Sequence, residues 1–98
     1  MTYELQFHPT ALAEWARLDK PLREQFKKKL AERLQTPHIP AARLSGGRDR
    51  YKIKLRSAGY RLVYEVQDDH LIILVIAVGR RDRNRVYLAA AGRSDPLH

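Results

Sequence analysis

The sequence predicts an α+β fold: a small single domain on a mainly antiparallel four-stranded sheet, with two N-terminal helices packed on it and a short C-terminal helix. Three observations lead there. Apolar and polar residues alternate near the N-terminus and again between residues 50 and 66, the period of a half-buried strand. Residues 9 to 36 instead carry large apolar side chains at helical spacing. Leu71 to Val78 is an unbroken apolar run, as expected of a central strand covered on both faces. A chain of 98 residues suffices for one core, so residues 1–98 are expected to form one domain, with about 92–98 a frayed, aperiodic tail.

Taken in order, Tyr3, Leu5 and Phe7 alternate with Glu4, Gln6 and His8 to give a first strand with one buried face. Pro9 opens a short helix through Ala11, Leu12, Trp15 and Leu18, because a first helical turn has no use for the N–H that proline lacks. Asp19 is placed to cap a longer helix whose Leu22, Phe26, Leu30 and Leu34 form the core stripe, and Pro37 ends it. Thr36 to Arg48, with Pro37, Pro40, Gly46 and Gly47, reads as an irregular crossing. A hairpin follows. A four-residue loop, Ser57-Ala58-Gly59-Tyr60, pairs Arg56 with Arg61, Leu55 with Leu62 and Ile53 with Tyr64. Asp68-Asp69-His70 turns the chain into the apolar strand, which exits at Gly79 toward the last helix. The three later strands form an antiparallel meander, with the first strand joining an edge and two helices on one face.

The hairpin carries the first chemical signal. Arg50, Lys52, Lys54 and Arg56 occupy every second position, so Tyr51, Ile53 and Leu55 point to the core while the cations line the other face. Neighbouring teeth of this comb stand roughly 6.5 to 7 Å apart, near the phosphate repeat of an extended nucleic-acid strand. A solvated strand face guarded by lysine is the ordinary explanation of such a row. The predicted register, however, sets Arg56 against Arg61, a destabilising like-charge pair that an anionic ligand would relieve. A second cationic cluster, Arg80-Arg81-Asp82-Arg83-Asn84-Arg85, begins where the central strand ends, which puts Arg81 and Tyr87 within reach of the comb's face.

The net charge of +8 points to an acidic partner, nucleic acid first. The excess is uneven: residues 1–46 carry eight Lys or Arg against five Asp or Glu, residues 47–98 eleven against six. Without cysteine there are no disulfides or thiolate sites. No stretch has the length of a membrane span, so a cytoplasmic location is expected and a membrane partner is not. His8, His38, His70 and His98 all fall outside the cationic clusters, and no His, Asp or Glu spacing resembles a metal site. Cations with tyrosine nearby remain. Cleavage of RNA by its own 2'-hydroxyl needs only a base for that proton, positive charge on the phosphorane and an acid for the leaving 5'-oxygen. A lysine among like charges has a lowered pKa and so serves as a better base near neutrality.

Four segments together carry a resemblance: Ala-Leu-Ala-Glu-Trp-Ala-Arg-Leu at 11–18, Arg-Glu-Gln-Phe-Lys-Lys-Lys-Leu at 23–30, Tyr-Lys-Ile-Lys-Leu-Arg-Ser-Ala-Gly-Tyr-Arg-Leu-Val-Tyr at 51–64, and Val-Ile-Ala-Val-Gly-Arg-Arg-Asp-Arg at 75–83 with Val86-Tyr87. The chain resembles the RelE toxins of bacterial toxin-antitoxin pairs, within the RelE/ParE superfamily. The resemblance implies a RelE-like fold and a ribosome-dependent endoribonuclease that cuts messenger RNA in the A site, needs no cofactor or metal, and is silenced by a cognate RelB-like antitoxin. Operator DNA would be met only through that antitoxin. By family analogy Lys52, Lys54 and Arg61 act on the phosphorane or the attacking hydroxyl, Arg81 on the leaving oxygen, and Tyr87 on a base or in proton transfer. Either Tyr87 or Lys54 is the general base. Lys27, Lys28 and Lys29, otherwise a solvated helix face balanced by Glu24 and Glu32, join Arg43, Arg48, Arg50, Arg56 and Arg83 as candidate contacts to messenger or ribosomal RNA. Ser45 departs from the arginine the family often has there, and Arg43 or Arg48 is the candidate substitute. Two other readings compete: a ParE-like DNA gyrase inhibitor of the same fold, and a non-catalytic nucleic-acid-binding or repressor module.

Overall fold

A computed structural model describes residues 2–46, 48–80 and 85–93. Strand β1 (Glu4–Phe7) leads into helices α1 (Pro9–Ala16) and α2 (Lys20–Gln35); a 3₁₀ turn (Pro40–Ala42) precedes strands β2 (Arg50–Leu55) and β3 (Tyr60–Gln67). A second 3₁₀ turn (Asp68–His70), strand β4 (Ile72–Arg80) and helix α3 (Arg85–Ala91) complete the order. The sheet runs β1-β4-β3-β2, with β2, β3 and β4 antiparallel and β1 parallel to β4 at the edge. The predicted α+β architecture holds element by element.

Local chemistry explains the helix starts. His8 stands at the N-cap of α1, where its Nδ1 accepts from the Thr10 amide at 3.2 Å and Pro9 follows. Asp19 occupies the N-cap of α2 as expected, but only its backbone carbonyl is used, accepting from the Arg23 amide at 3.1 Å.

The helices cover opposite faces of the sheet. Phe26 and Leu30 of α2 and Ala11 of α1 pack on Tyr51, Ile53, Leu62, Tyr64, Val66, Ile73 and Val75, with Tyr3, Leu5 and Phe7 at the margin. Trp15 ties the layers together, 5.2 Å from the Phe7 ring and 6.2 Å from Phe26. On the other face Val86 and Ala90 of α3 pack on Val63, Leu74, Ile76 and Ala77. The apolar run of β4 is thus buried on both sides, as its composition predicts.

Two details of register differ from the expected ones. The hairpin loop does contain four residues, but they are Arg56 to Gly59, so Leu55 pairs with Tyr60, Ile53 with Leu62 and Lys54 with Arg61. Gly59 decides this: at φ +70 it closes the turn with its amide on the Leu55 carbonyl at 2.9 Å, a conformation that glycine adopts without strain. The shift moves partners by two residues, so every side chain keeps its predicted face. In β4 a bulge between Val75 and Ala77 leaves Ile76 unpaired and turns Ile76 and Ala77 to the same side. The bulge resets the alternation, bringing Gly79 to face α3, where a Cβ would lie 3.2 Å from a Val86 methyl.

Candidate functional site

Strand β2 has an open outer edge, and two segments cover it. The amide of Leu44 donates to the Arg50 carbonyl at 2.9 Å, and Arg33 of α2 reaches the Lys52 carbonyl at 3.3 Å while donating to the Tyr64 hydroxyl at 2.8 Å. Held this way, β2 presents Lys52 and Lys54 side by side on the face shared with α3, with Arg61 directly across from Lys54. The crowding has a consequence for acidity. The charge of Lys52 first, then partial desolvation and the charges of Arg56 and Arg61, hold the Lys54 ammonium below the usual lysine value.

Opposite this pair stands the first turn of α3. A cleft of about 650 Å³ opens between β2, the segment Leu44 to Gly46 and α3, and Lys52, Arg48 and Tyr87 all line it. The expected meeting of hairpin cations with the final helix is therefore seen for Lys52 and Tyr87, with Lys54 and Arg61 continuing the same face. Arg81 and Arg83 lie outside the described residues. Leu44, Leu88, Ala90 and Ala91 give the cleft an apolar wall beside its cations, fit for a flat, partly apolar group attached to an anion.

The comb of four teeth is corrected at both ends. Arg56 lies beyond β2 in the exposed turn, and Arg50 is only 5% exposed, folded beneath α3. Its Nε meets Glu65 at 3.0 Å, its Nη1 donates to the Ala90 carbonyl, and its Nη2 donates to the Arg93 carbonyl at 2.6 Å. Burial of a guanidinium demands such partners, so the protein's own acceptors take the charge that strand periodicity assigned to RNA. Arg61 is equally buried at 5% and donates to the Tyr60 carbonyl at 2.9 Å, but among the described residues it meets no carboxylate, so its charge, unlike that of Arg50 on Glu65, is not neutralised.

Lys27, Lys28 and Lys29 are exposed on α2, across the sheet from the cleft, and Lys27 pairs with Glu24 at 3.5 Å. Arg43 pairs with Asp49 at 3.5 Å, and Arg48 donates to the Arg93 carbonyl at 2.9 Å while lining the cleft. Spacing arguments missed Arg93 altogether. Expected in a frayed tail, it forks onto Glu14 of α1 at 2.8 and 3.1 Å and donates to the Ile76 carbonyl at 2.9 Å. Beyond the short β1, the exposed edge of β4 offers an unpaired carbonyl and amide; Arg93 takes the first and Glu14, accepting from the Val78 amide at 3.1 Å, the second.

Among the described residues, His38, Asp49 and Asp68 alone bring metal-ligating atoms together, within 4.8 Å, from positions too far apart in sequence to form a motif. Protein groups already use those atoms. Tyr3 donates to Asp68 at 2.5 Å, Tyr51 to Asp49 at 2.7 Å, and His38 contacts Asp68 through Nε2 at 3.0 Å. The hydrogen bonds from Tyr3 and then His38 hold the Asp68 carboxyl below its usual value, and the same bond to Asp68 leads the rise of the Tyr3 hydroxyl.

The family model for the ParE toxin of the type II toxin-antitoxin system parDE matches residues 5–85. The mRNA interferase toxin RelE of Escherichia coli strain K12 is 53% identical over 93 residues, covering 95% of this chain and 98% of that protein. A free-state structure of an arginine-substituted E. coli RelE toxin superposes with a TM-score of 0.85 at 51% identity, covering 92% of this chain and 95% of that one. The toxin in the intact E. coli RelBE toxin-antitoxin complex gives 0.79 at 53% identity, covering 83% of this chain and 99% of that one. With the family model spanning the sheet, α1 and α2, and half of the residues shared with RelE over nearly the full length, this chain belongs to the RelE branch of the RelE/ParE toxin superfamily.

Proposed function

We propose that the chain is the toxin of a type II toxin-antitoxin pair and an endoribonuclease that cuts messenger RNA in the ribosomal A site by attack of a 2'-hydroxyl on the adjacent phosphate. The observation that carries this reading is the cationic face on which Lys52, Lys54 and Arg61 adjoin one another, with Tyr87 across the cleft from Lys52. Lys54, made more acidic by its neighbours, takes the 2'-proton. The 2'-oxygen bonds to phosphorus, Lys52 and Arg61 balance the charge of the phosphorane, and as the bond to the 5'-oxygen breaks that oxygen takes a proton from water, the step that family analogy has Arg81 assist. Tyr87 offers its ring to a base on the apolar side of the cleft.

Among the described residues no histidine serves this face, so much of the rate comes from holding the 2'-oxygen in line with the phosphate, an orientation that a ribosome-bound codon supplies. Free RNA is then a poor substrate. The location follows from the substrate: the protein acts in the cytoplasm, and among the described residues no helix is long and apolar enough to cross a membrane. A cognate antitoxin masks the cleft or displaces α3.

Primer extension on messengers from cells making the protein tests the reading. Sharp stops inside translated codons are expected, lost with Arg61→Ala or Arg81→Ala while antitoxin binding persists. DNA breaks with intact messenger would place the chain with gyrase-directed toxins instead. Backbone binding without cleavage, weakening steeply with salt, would mark a passive nucleic-acid module.

A further inference from the structure

Arg50 joins the two sides of the cleft. It is the first residue of β2, two positions before Lys52 on the same face, and its guanidinium ends on the last turn of α3, whose first turn holds Tyr87. Three independent acceptors fix it: the Glu65 carboxylate, the Ala90 carbonyl and the Arg93 carbonyl. The carbonyls at a helix C-terminus have no partners within the helix and carry partial negative charge, so a guanidinium there both satisfies them and complements the dipole. Glu65 sits opposite Arg50 in the ladder and is itself held by Gln67 at 3.1 Å, which aims the fork. Arg48 adds a second bond to the Arg93 carbonyl at 2.9 Å.

A seven-residue helix is too short to hold its place by its own hydrogen bonds. Val86 and Ala90, with Tyr87 and Ala89 beside them, pack α3 on the sheet, and the Arg93 side chain anchors the chain just past it on Glu14 and the Ile76 carbonyl; the ties from Arg50 and Arg48 are what join α3 to the β2 side of the cleft. We propose that Arg50, aimed by Glu65, is a positioning residue that sets the distance between Tyr87 and Lys52 across the cleft, and so acts on cleavage through Tyr87 without touching RNA. This rests on the reading of the cleft as the messenger site.

The test uses the full chain on ribosomes programmed with a defined messenger, comparing wild type, Arg50→Lys, Tyr87→Ala and the double variant. Lysine keeps the charge but lacks the planar fork that spans these separated acceptors. Arg50→Lys is expected to lower the maximal cleavage rate about tenfold or more while leaving the half-saturating ribosome concentration within about twofold. In the Tyr87→Ala background the same change is expected to cost less than about twofold, because the group it positions is gone. An equal loss in both backgrounds overturns the proposal, as does an unchanged rate or a loss confined to half-saturation that grows with salt, the mark of a direct phosphate contact. Should Arg50→Lys not fold, Glu65→Gln decides by the same criteria. Amide exchange is read in parallel: a rise over wild type in residues 86–91 that the sheet of Arg50→Lys does not share supports the strut even if wild type cleaves nothing, an outcome that sinks the reading of the cleft alone. Unaltered exchange there overturns the strut.

Discussion

The Lys54 ammonium gives up its proton more readily than that of a free lysine because Lys52 stands beside it, ahead of desolvation and of Arg56 and Arg61. The sign of the pH dependence follows. On the proposed role of Lys54 as the base, which acts when neutral, cleavage is expected to rise with pH, and Lys52→Met, which removes the largest cause of the lowered pKa, is expected to move the rising limb of the pH–rate profile to higher pH. Measured single-turnover rates across pH check this; a lower rate with an unmoved limb would leave Lys52 with only a charge-stabilising role. Asp68 gives a second pH dependence. Its folded pKa lies below the ordinary 3.8, so its contribution is present above that value and lost as pH falls through the folded one. Because the side chain is 54% exposed, the contribution is about 1 kcal/mol or less, and Asp68→Asn is expected to flatten acid denaturation followed by circular dichroism. The facing of Lys52 and Lys54 was legible, since a strand allows two directions only. The withdrawal of Arg50 was not: a period of two says which face a cation takes, not whether a helix then covers it.

At the scale of elements, the hairpin turns on Gly59. No atom lies within 4 Å of a Cβ built there, so the cost of Gly59→Ala is conformational, the left-handed backbone at φ +70. A loss of about 1 kcal/mol is expected in urea unfolding with an unchanged m-value. The glycine was visible in the sequence, and so was a loop of four residues; its frame was not, because Arg56 and Tyr60 each complete a four-residue loop containing Gly59. The bulge at Ile76 was hidden for a related reason. In a run where every side chain is apolar, a one-residue reset of the alternation changes no letter of the pattern. Yet the reset turns Gly79 toward α3 and opens the space that Val86 fills.

For the whole molecule, stability rests on the layer under α1 and α2. Phe26 is fully buried against Trp15 and the sheet, so Phe26→Ala is expected to cost about 3–5 kcal/mol in thermal or urea unfolding. That loss would threaten folding in a domain of this size. By itself the sequence determined the α+β class, the element order, the core face of the three alternating strands and the clustering of charge in the second half, because period, proline and glycine act locally. Only the tertiary structure decided which cations remain for a ligand. That choice depends on which backbone groups other elements leave within reach: the Ala90 carbonyl of α3 and the Arg93 carbonyl just past it meet Arg50, and the short β1 leaves an edge of β4 to Arg93 and Glu14. Among the described residues Lys52 and Lys54 meet no such acceptor, and their charge stays on the face that the cleft opens onto.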